Sequence, residues 1–304
     1  GYTPKQELEY RFPYLNKRQS LGVTTLFLHS INKELNYGTF NNREQLVRLG
    51  EQKIQERWEG QIRTFYRPTI NIKYELALRY QNLEIDQEVV TDYNPLYFSN
   101  GDSTHSVFSL RLVYEYDDRD RKIFPATGIK FSAEAEKIGL TNSADENTLI
   151  TALSVEWNAT TGRRFQHRVS TTAKYSLSRN RPSFVYYKGL GSGVKYVSGY
   201  ELYVIDGLDY VLGKYQLAYK LLEKQSNLGS FMPVDQFRQV TYAFYISLLA
   251  EVGYVNDPYS GGVNPLTNQW LYGGGPAFTL LMYNNFLFQF SYCTNHLGEW
   301  GLFI

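Results

Sequence analysis

The side chains that most often do chemistry are scattered along this chain. His29, His105, His167 and His296 are dispersed, and none stands at the spacing of a metal site. They read as polar residues of loops or of a wet interior. Cys293 is the single cysteine, so no internal disulfide and no cysteine pair for a metal can form. It reads as an unreactive thiol. Gly189-Leu190-Gly191-Ser192-Gly193 has the glycine density of a phosphate loop or a nucleophile elbow. It lacks the Lys-Ser/Thr ending, and no helical pattern follows, so it reads as a loop. No catalytic group, metal or cofactor is expected, and the chain is read as a non-enzyme.

What remains is a question of elements. Lys and Arg number 31 and Asp and Glu 30, giving a formal net charge of +1, so no basic excess exists to neutralise phosphates and a nucleic-acid partner is not expected. The mean hydropathy of −0.40 and the absence of an 18-residue apolar run exclude a membrane-spanning helix pattern. A strand barrel escapes that test, because only every second residue of its strands meets lipid. Aromatics make up 16% of the chain and tyrosine alone contributes 27 residues, a composition suited to rings that meet lipid while their hydroxyls reach headgroups. No cleavable leader is read at Gly1.

Alternation with a period of two dominates the sequence. Ile72, Tyr74, Leu76, Leu78 and Tyr80 alternate with Lys73, Glu75, Ala77 and Arg79. Phe108, Leu110, Leu112, Tyr114 and Tyr116 alternate with Ser109, Arg111, Val113, Glu115 and Asp117. Similar faces start at Leu149, Val169, Tyr242 and Phe286. Each apolar face holds about five side chains, the length of a tilted strand crossing a bilayer. Tyr80, Tyr116, Trp157, Tyr175, Tyr254 and Tyr292 close such faces, as in an aromatic girdle. A water-exposed sandwich would also alternate; the aromatic ends favour the membrane. Turns are expected at residues 100–102, 142–145, 161–162, 227–229 and 284–285. The stretch from Arg43 to Gln61 fits either a surface helix or two strands of a hairpin. The expectation is one domain over residues 1–304: a closed, antiparallel transmembrane β-barrel of about sixteen strands, closed because a sheet edge in hydrocarbon leaves backbone groups unpaired.

Three segments carry a resemblance. Asp117-Asp118-Arg119-Asp120 followed by Phe124-Pro125-Ala126-Thr127-Gly128 resembles a D-x-R-D…F-P-x-x-G hairpin. Val197-Ser198-Gly199-Tyr200 resembles the V-R-G-F/Y tip of a long loop folded into a barrel lumen, with Ser198 where the arginine should stand. Phe244 to Tyr254 resembles a strand of F-x-D-x-G-x-V type, with Glu251 and Gly253 in place, and Glu251 faces inward with Ser247. Gly273-Gly274-Gly275-Pro276 and the run from Gln289 to Phe303 look like the closing strands. Together these resemble the BamA/TamA superfamily of outer-membrane barrels, the bacterial surface antigen family. Tyr200 to Gly207 looks most like Bacteroidota members, and the POTRA repeats usual in the family are not read in residues 1–304, so the expectation is either a truncated chain or a member that lacks them.

The resemblance implies a Gram-negative outer-membrane protein in contact with lipopolysaccharide and phospholipid, acting in the assembly, insertion or translocation of client barrel proteins. It implies a weak seam between first and last strands, placed by the sequence near Gly22–Ser30 and Phe286–Asn295. It also implies an ion pair between the loop arginine and the wall acid. With Ser198 at the tip, Glu251 must find another cation or stay hydrated. The alternatives are a scaffold or subunit barrel without insertase activity, which the missing arginine and repeats favour, and a passive pore.

Overall fold

The computed structural model describes residues 4–141, 146–191, 195–227, 229, 234, 236 and 238–303. The expected turn at 142–145, Leu228 and part of the glycine run lie outside them. Fifteen strands occur among the described residues: β1 (Lys5–Phe12), β2 (Leu21–Asn32), β3 (Leu35–Phe40), β4 (Arg43–Val47), β5 (Gln55–Tyr66), β6 (Ile72–Ile85), β7 (Thr104–Asp117), β8 (Gly128–Ile138), β9 (Thr148–Thr161), β10 (Phe165–Ser176), β11 (Asp209–Asn227), β12 (Gln239–Asn256), β13 (Trp270–Met282), β14 (Phe286–Asn295) and β15 (Trp300–Phe303). Thirteen form one antiparallel sheet in the order β1-β2-β5-β6-β7-β8-β9-β10-β11-β12-β13-β14-β15, and β3 and β4 pair as a separate hairpin. The Arg43–Gln61 stretch is neither a helix nor a hairpin of its own: Arg43–Val47 is β4, paired with β3, and residues 55–61 begin β5, paired with β2 and β6.

Two expectations need correction. About sixteen strands were expected from an even division of the chain. The division fails because β11 and β12 run to 19 and 18 residues and the β10–β11 connection occupies 177–208. The outermost strands are β1 and β15, not β2 and β14, which each have a neighbour on both sides.

The two sheet faces divide as the alternation requires. On β6 and β7 the directly opposed pairs Leu76–Leu112, Leu78–Leu110 and Tyr80–Phe108 point outward. Leu112 is 53% exposed and Leu248 on β12 is 57%, whereas Glu75 is 9% exposed and Gln81 5%. A water-soluble protein rarely leaves so extended an apolar surface uncovered. The opposite face holds the ions: Arg111 meets Glu134 at 2.7 Å, Arg79 meets Glu136 at 2.8 Å and Lys130 meets Glu115 at 3.1 Å.

The sheet is curled around this charged face. The β7–β8 connection reaches β12, where the Phe124 ring lies 4.8 Å from the Tyr245 ring, and both join Ala218, Ala243 and Leu281 in one buried cluster. At the other end the turn between β3 and β4 meets the β12–β13 connection, as Asn42 N donates to Asn264 Oδ1 at 2.9 Å. Most long connections (β2–β5, β6–β7, β10–β11 and β12–β13) lie at that second end.

Candidate functional site

The β10–β11 connection carries the Val197–Tyr200 tip and packs it onto the inward face of β11–β14. Val197 and Tyr200 are 1% exposed and cluster with Leu190, Ile205, Leu212, Val255 and Leu271. The contact is organised by one row of residues across four strands. Lys214 on β11 stands opposite Glu251 on β12, Glu251 opposite Gly273 on β13, and Gly273 opposite Asn295 on β14. Each does a separate job. Glu251 Oε2 accepts the Ser198 backbone N–H at 2.8 Å and lies 3.0 Å from Lys214 Nζ. Gly273 leaves room for the tip, since a Cβ there would lie 1.8 Å from Ser198 O. Asn295 Nδ2 donates to Gly199 O at 2.7 Å.

The tip therefore docks without an arginine. The cation that pairs with Glu251 comes from the neighbouring strand, and the loop supplies only a backbone N–H. Glu251 is satisfied as a buried carboxylate must be, by one charge and one donor, with its side chain 7% exposed. Lys214 Nζ also lies 4.8 Å from the centre of the Tyr196 ring, so the lysine touches both wall and loop. Gly199 is required twice: its φ is +88°, and a Cβ would come within 2.9 Å of the Thr294 backbone carbon. Gly253 makes room for Val197, whose Cγ2 a Cβ would meet at 2.7 Å.

Further along, Tyr200 O–H pairs with the His296 ring, and Tyr203 O–H donates to Glu299 at 2.8 Å. Burial pushes the Tyr200 phenol up to about 12, so it stays a neutral donor. The donors Asn295 and Tyr203 hold the Glu299 carboxyl below its ordinary range. Asp206 is 4% exposed; burial raises its pKa despite the Thr39 hydroxyl and the Lys188 ammonium, 3.5 Å away.

The hairpin motif forms a second built cluster at the opposite end. Arg119 donates to both Asp117 oxygens at 2.8 Å and to both Glu156 oxygens at 3.1 Å, with its side chain 9% exposed. Its hydrogen bonds to Asp117 strengthen its hold on its proton. Asp120 Oδ1 caps the turn by accepting the Ala126 and Thr127 N–H groups at 2.9 and 3.2 Å. Pro125 is buried beside Phe124, and Gly128 has φ +106° with Arg119 Cα 2.6 Å from where a Cβ would stand. This cluster and the loop tip are separate. They share a cavity of about 340 Å³, lined by Glu156 and Arg168 on one side and Ser198, Lys214 and Glu251 on the other.

Sequence reasoning missed Lys214, Gly273 as the receiving position and Asn295. The signal for them is register: each lies opposite Glu251 or one strand beyond. The histidines remain apart, and among the described residues no group of His, Cys, Asp and Glu could hold a metal ion. Cys293 is fully buried.

The fold was compared with solved structures. It matches the crystal structure of BamA from Haemophilus ducreyi lacking POTRA domains 1–3, with a TM-score of 0.67 and 13% sequence identity. The fold is that of a BamA barrel. The match covers 97% of this chain and 59% of that one, so this chain spans a little over half its length. No family model and no curated protein matches the sequence.

Proposed function

We propose that this chain is a β-barrel of the bacterial outer membrane, of BamA/TamA type, that helps to assemble, insert or translocate other outer-membrane proteins. The apolar outward face would meet lipopolysaccharide and phospholipid. The observation that carries the assembly role is the pair of sheet edges. β15 has only four residues, all paired with β14, and β1 is exposed along its whole length with β2 as its one partner. An edge so short and an edge so open leave N–H and C=O groups unpaired by any strand among the described residues. A client strand can add to them by β-augmentation. The clients are unfolded barrel proteins, whose own strands need that template before they meet hydrocarbon.

A second reading is a scaffold or partner-subunit barrel without insertase activity, favoured by Ser198 in place of the arginine. The pairing of Glu251 with Lys214 weighs against it, because the docked tip is retained by other means. A passive pore is disfavoured by Leu190, Val197, Tyr200 and Ile205 of the β10–β11 connection, which pack against Leu212, Val255 and Leu271 of the strands.

The test is a disulfide between one cysteine on β1 and one on β15, in a Cys293→Ser background, with insertion of a urea-unfolded small barrel into proteoliposomes as the readout. Oxidation is expected to stop insertion and reduction to restore it. Insertion that is absent with the seam free, or unchanged with it locked, overturns the insertase reading. A companion variant, Ser198→Arg with Lys214→Met, moves the cation from wall to loop. An insertase tolerates that exchange and keeps its activity, whereas a scaffold barrel gains none.

A further inference from the structure

The lumen holds a concentration of positive charge that neither the loop tip nor the seam uses. Lys174 on β10 and Lys188 and Lys195 on the β10–β11 connection line one cavity of about 260 Å³, with Gly189, Gly191, Tyr210 and a single carboxylate, Asp206. The same three lysines line an adjoining chamber of about 450 Å³ together with Arg57 and Arg79. The acids of that chamber are committed elsewhere: Glu136 to Arg79 at 2.8 Å and Glu134 to Arg111 at 2.7 Å. Asp206 is shared with Lys188 at 3.5 Å and with the Thr39 hydroxyl at 2.5 Å.

Lys174 and Lys195 are left over. Among the described residues no carboxylate lies within 4.0 Å of either ammonium. Lys174 donates to the backbone carbonyls of Lys188 and Gly207, the latter at 3.2 Å. Lys195 donates to the Tyr210 hydroxyl at 2.7 Å. The two ammoniums lie 5.7 and 5.4 Å from the centre of the same Tyr210 ring. Neutral oxygens and a ring face orient a cation without cancelling its charge. Three lysines against one carboxylate leave two positive charges on one small, half-enclosed space. Gathering like charges in such a space is unfavourable unless an anion joins them.

We infer that this cavity is an anion seat for a tetrahedral oxyanion of the phosphate class, either free phosphate or a phosphate borne on a saccharide. A phosphate dianion matches the uncompensated charge, and its oxygens can take hydrogen bonds from Lys174 on the wall and Lys195 on the connection at once. The anion is thereby a bridge between β10 and the connection that carries the docked tip. Occupancy of the seat and docking of the connection are linked, so phosphate stabilises the docked state by mass action. Each lysine can serve such an oxyanion as a compact point charge whose three donors turn toward it.

The experiment uses the whole barrel in detergent micelles at constant ionic strength. Inorganic phosphate and a de-acylated, phosphorylated glucosamine disaccharide are titrated separately by calorimetry, and thermal unfolding is followed in parallel. Saturable binding with a rise in Tm is expected for at least one probe. Lys195→Gln, on the connection and away from the wall, is expected to weaken it by about tenfold, and Lys174→Gln by as much or more. Lys5→Gln on β1 serves as a control for general charge. Retained heat-modifiable migration on gels shows that each variant is folded. Binding of inorganic phosphate identifies the free ion as sufficient, and binding of the saccharide alone identifies an outer-leaflet source. No saturable binding of either probe, or equal weakening by Lys5→Gln, overturns the assignment.

Discussion

Replacing Lys214 by methionine is the sharpest perturbation of the docked loop. The substitution keeps most of the aliphatic stem and removes the one cation among the described residues that lies within 4.0 Å of Glu251. Glu251 is then a carboxylate, 7% exposed on its side chain, with the Ser198 N–H as its remaining partner. Removing one member of a buried pair costs about 3–5 kcal/mol. The Lys214 side chain is 33% exposed, so water softens the loss to roughly 2–3 kcal/mol. Glu251→Gln leaves an oxygen for the Ser198 N–H and forfeits only the charge assistance, about 1–2 kcal/mol. The double variant contains no unpaired charge, so its cost is expected to fall short of the sum by roughly 1–2 kcal/mol. Hydrogen exchange over 195–208 reads the opening of the connection directly. An opening made easier by 2 kcal/mol accelerates exchange by about thirtyfold. Exchange unchanged in Lys214→Met, or strictly additive in the double variant, would refute the assignment of Lys214 as the wall cation.

Three further outcomes follow from the same geometry. Gly273→Ala places a methyl carbon where Ser198 O now lies, so the tip should lift off at a cost of about 1–3 kcal/mol, seen as new proteolytic cleavage within 195–208 while the barrel stays heat-modifiable. Arg119→Met leaves Asp117 and Glu156 facing each other without their shared cation, and should lower the unfolding midpoint by about 3–5 kcal/mol equivalent; Arg119→Lys should recover little, because an ammonium cannot span four carboxylate oxygens in a plane. The two loop acids should act with opposite sign on pH. Glu299 has a depressed folded pKa, so its contribution to docking is present above its unfolded value and is lost as the pH falls through the folded one. Asp206 has a raised folded pKa, so its contribution is full below its unfolded value and is lost as the pH rises through the folded one. Loop proteolysis against pH should therefore lose its acid limb in Glu299→Gln and its rise on the alkaline side in Asp206→Asn.

The strands were legible because each is half in one solvent and half in another. The β6, β7, β12 and β14 faces show it in their plain alternation, and the hairpin and tip motifs stand where their glycines require. Strand number was not legible, since nothing local limits how far β11 and β12 extend beyond the apolar band. The edges were misplaced for different reasons. β15 is too short to show a period, while Leu8, Tyr10 and Phe12 against Glu7, Glu9 and Arg11 carry a usable alternation for β1. Lys214 escaped notice because its role depends on the register of β11 against β12, which brings it opposite Glu251, a residue more than thirty positions away in the chain. Serine at the tip signalled that the ordinary anchor was missing, and only the pairing of β11 with β12 supplies the replacement.

The central claim is that the apolar columns face acyl chains while the charged columns line a wet interior. Single nitroxides placed in turn at positions 244–249 of β12, in proteoliposomes, test it through their relative exposure to oxygen and to a water-soluble nickel chelate. Positions 244, 246 and 248 should favour oxygen, and 245, 247 and 249 should not, giving a period of two. Uniform exposure, or a reversed phase with Phe244, Ile246 and Leu248 accessible to the chelate, would contradict the account.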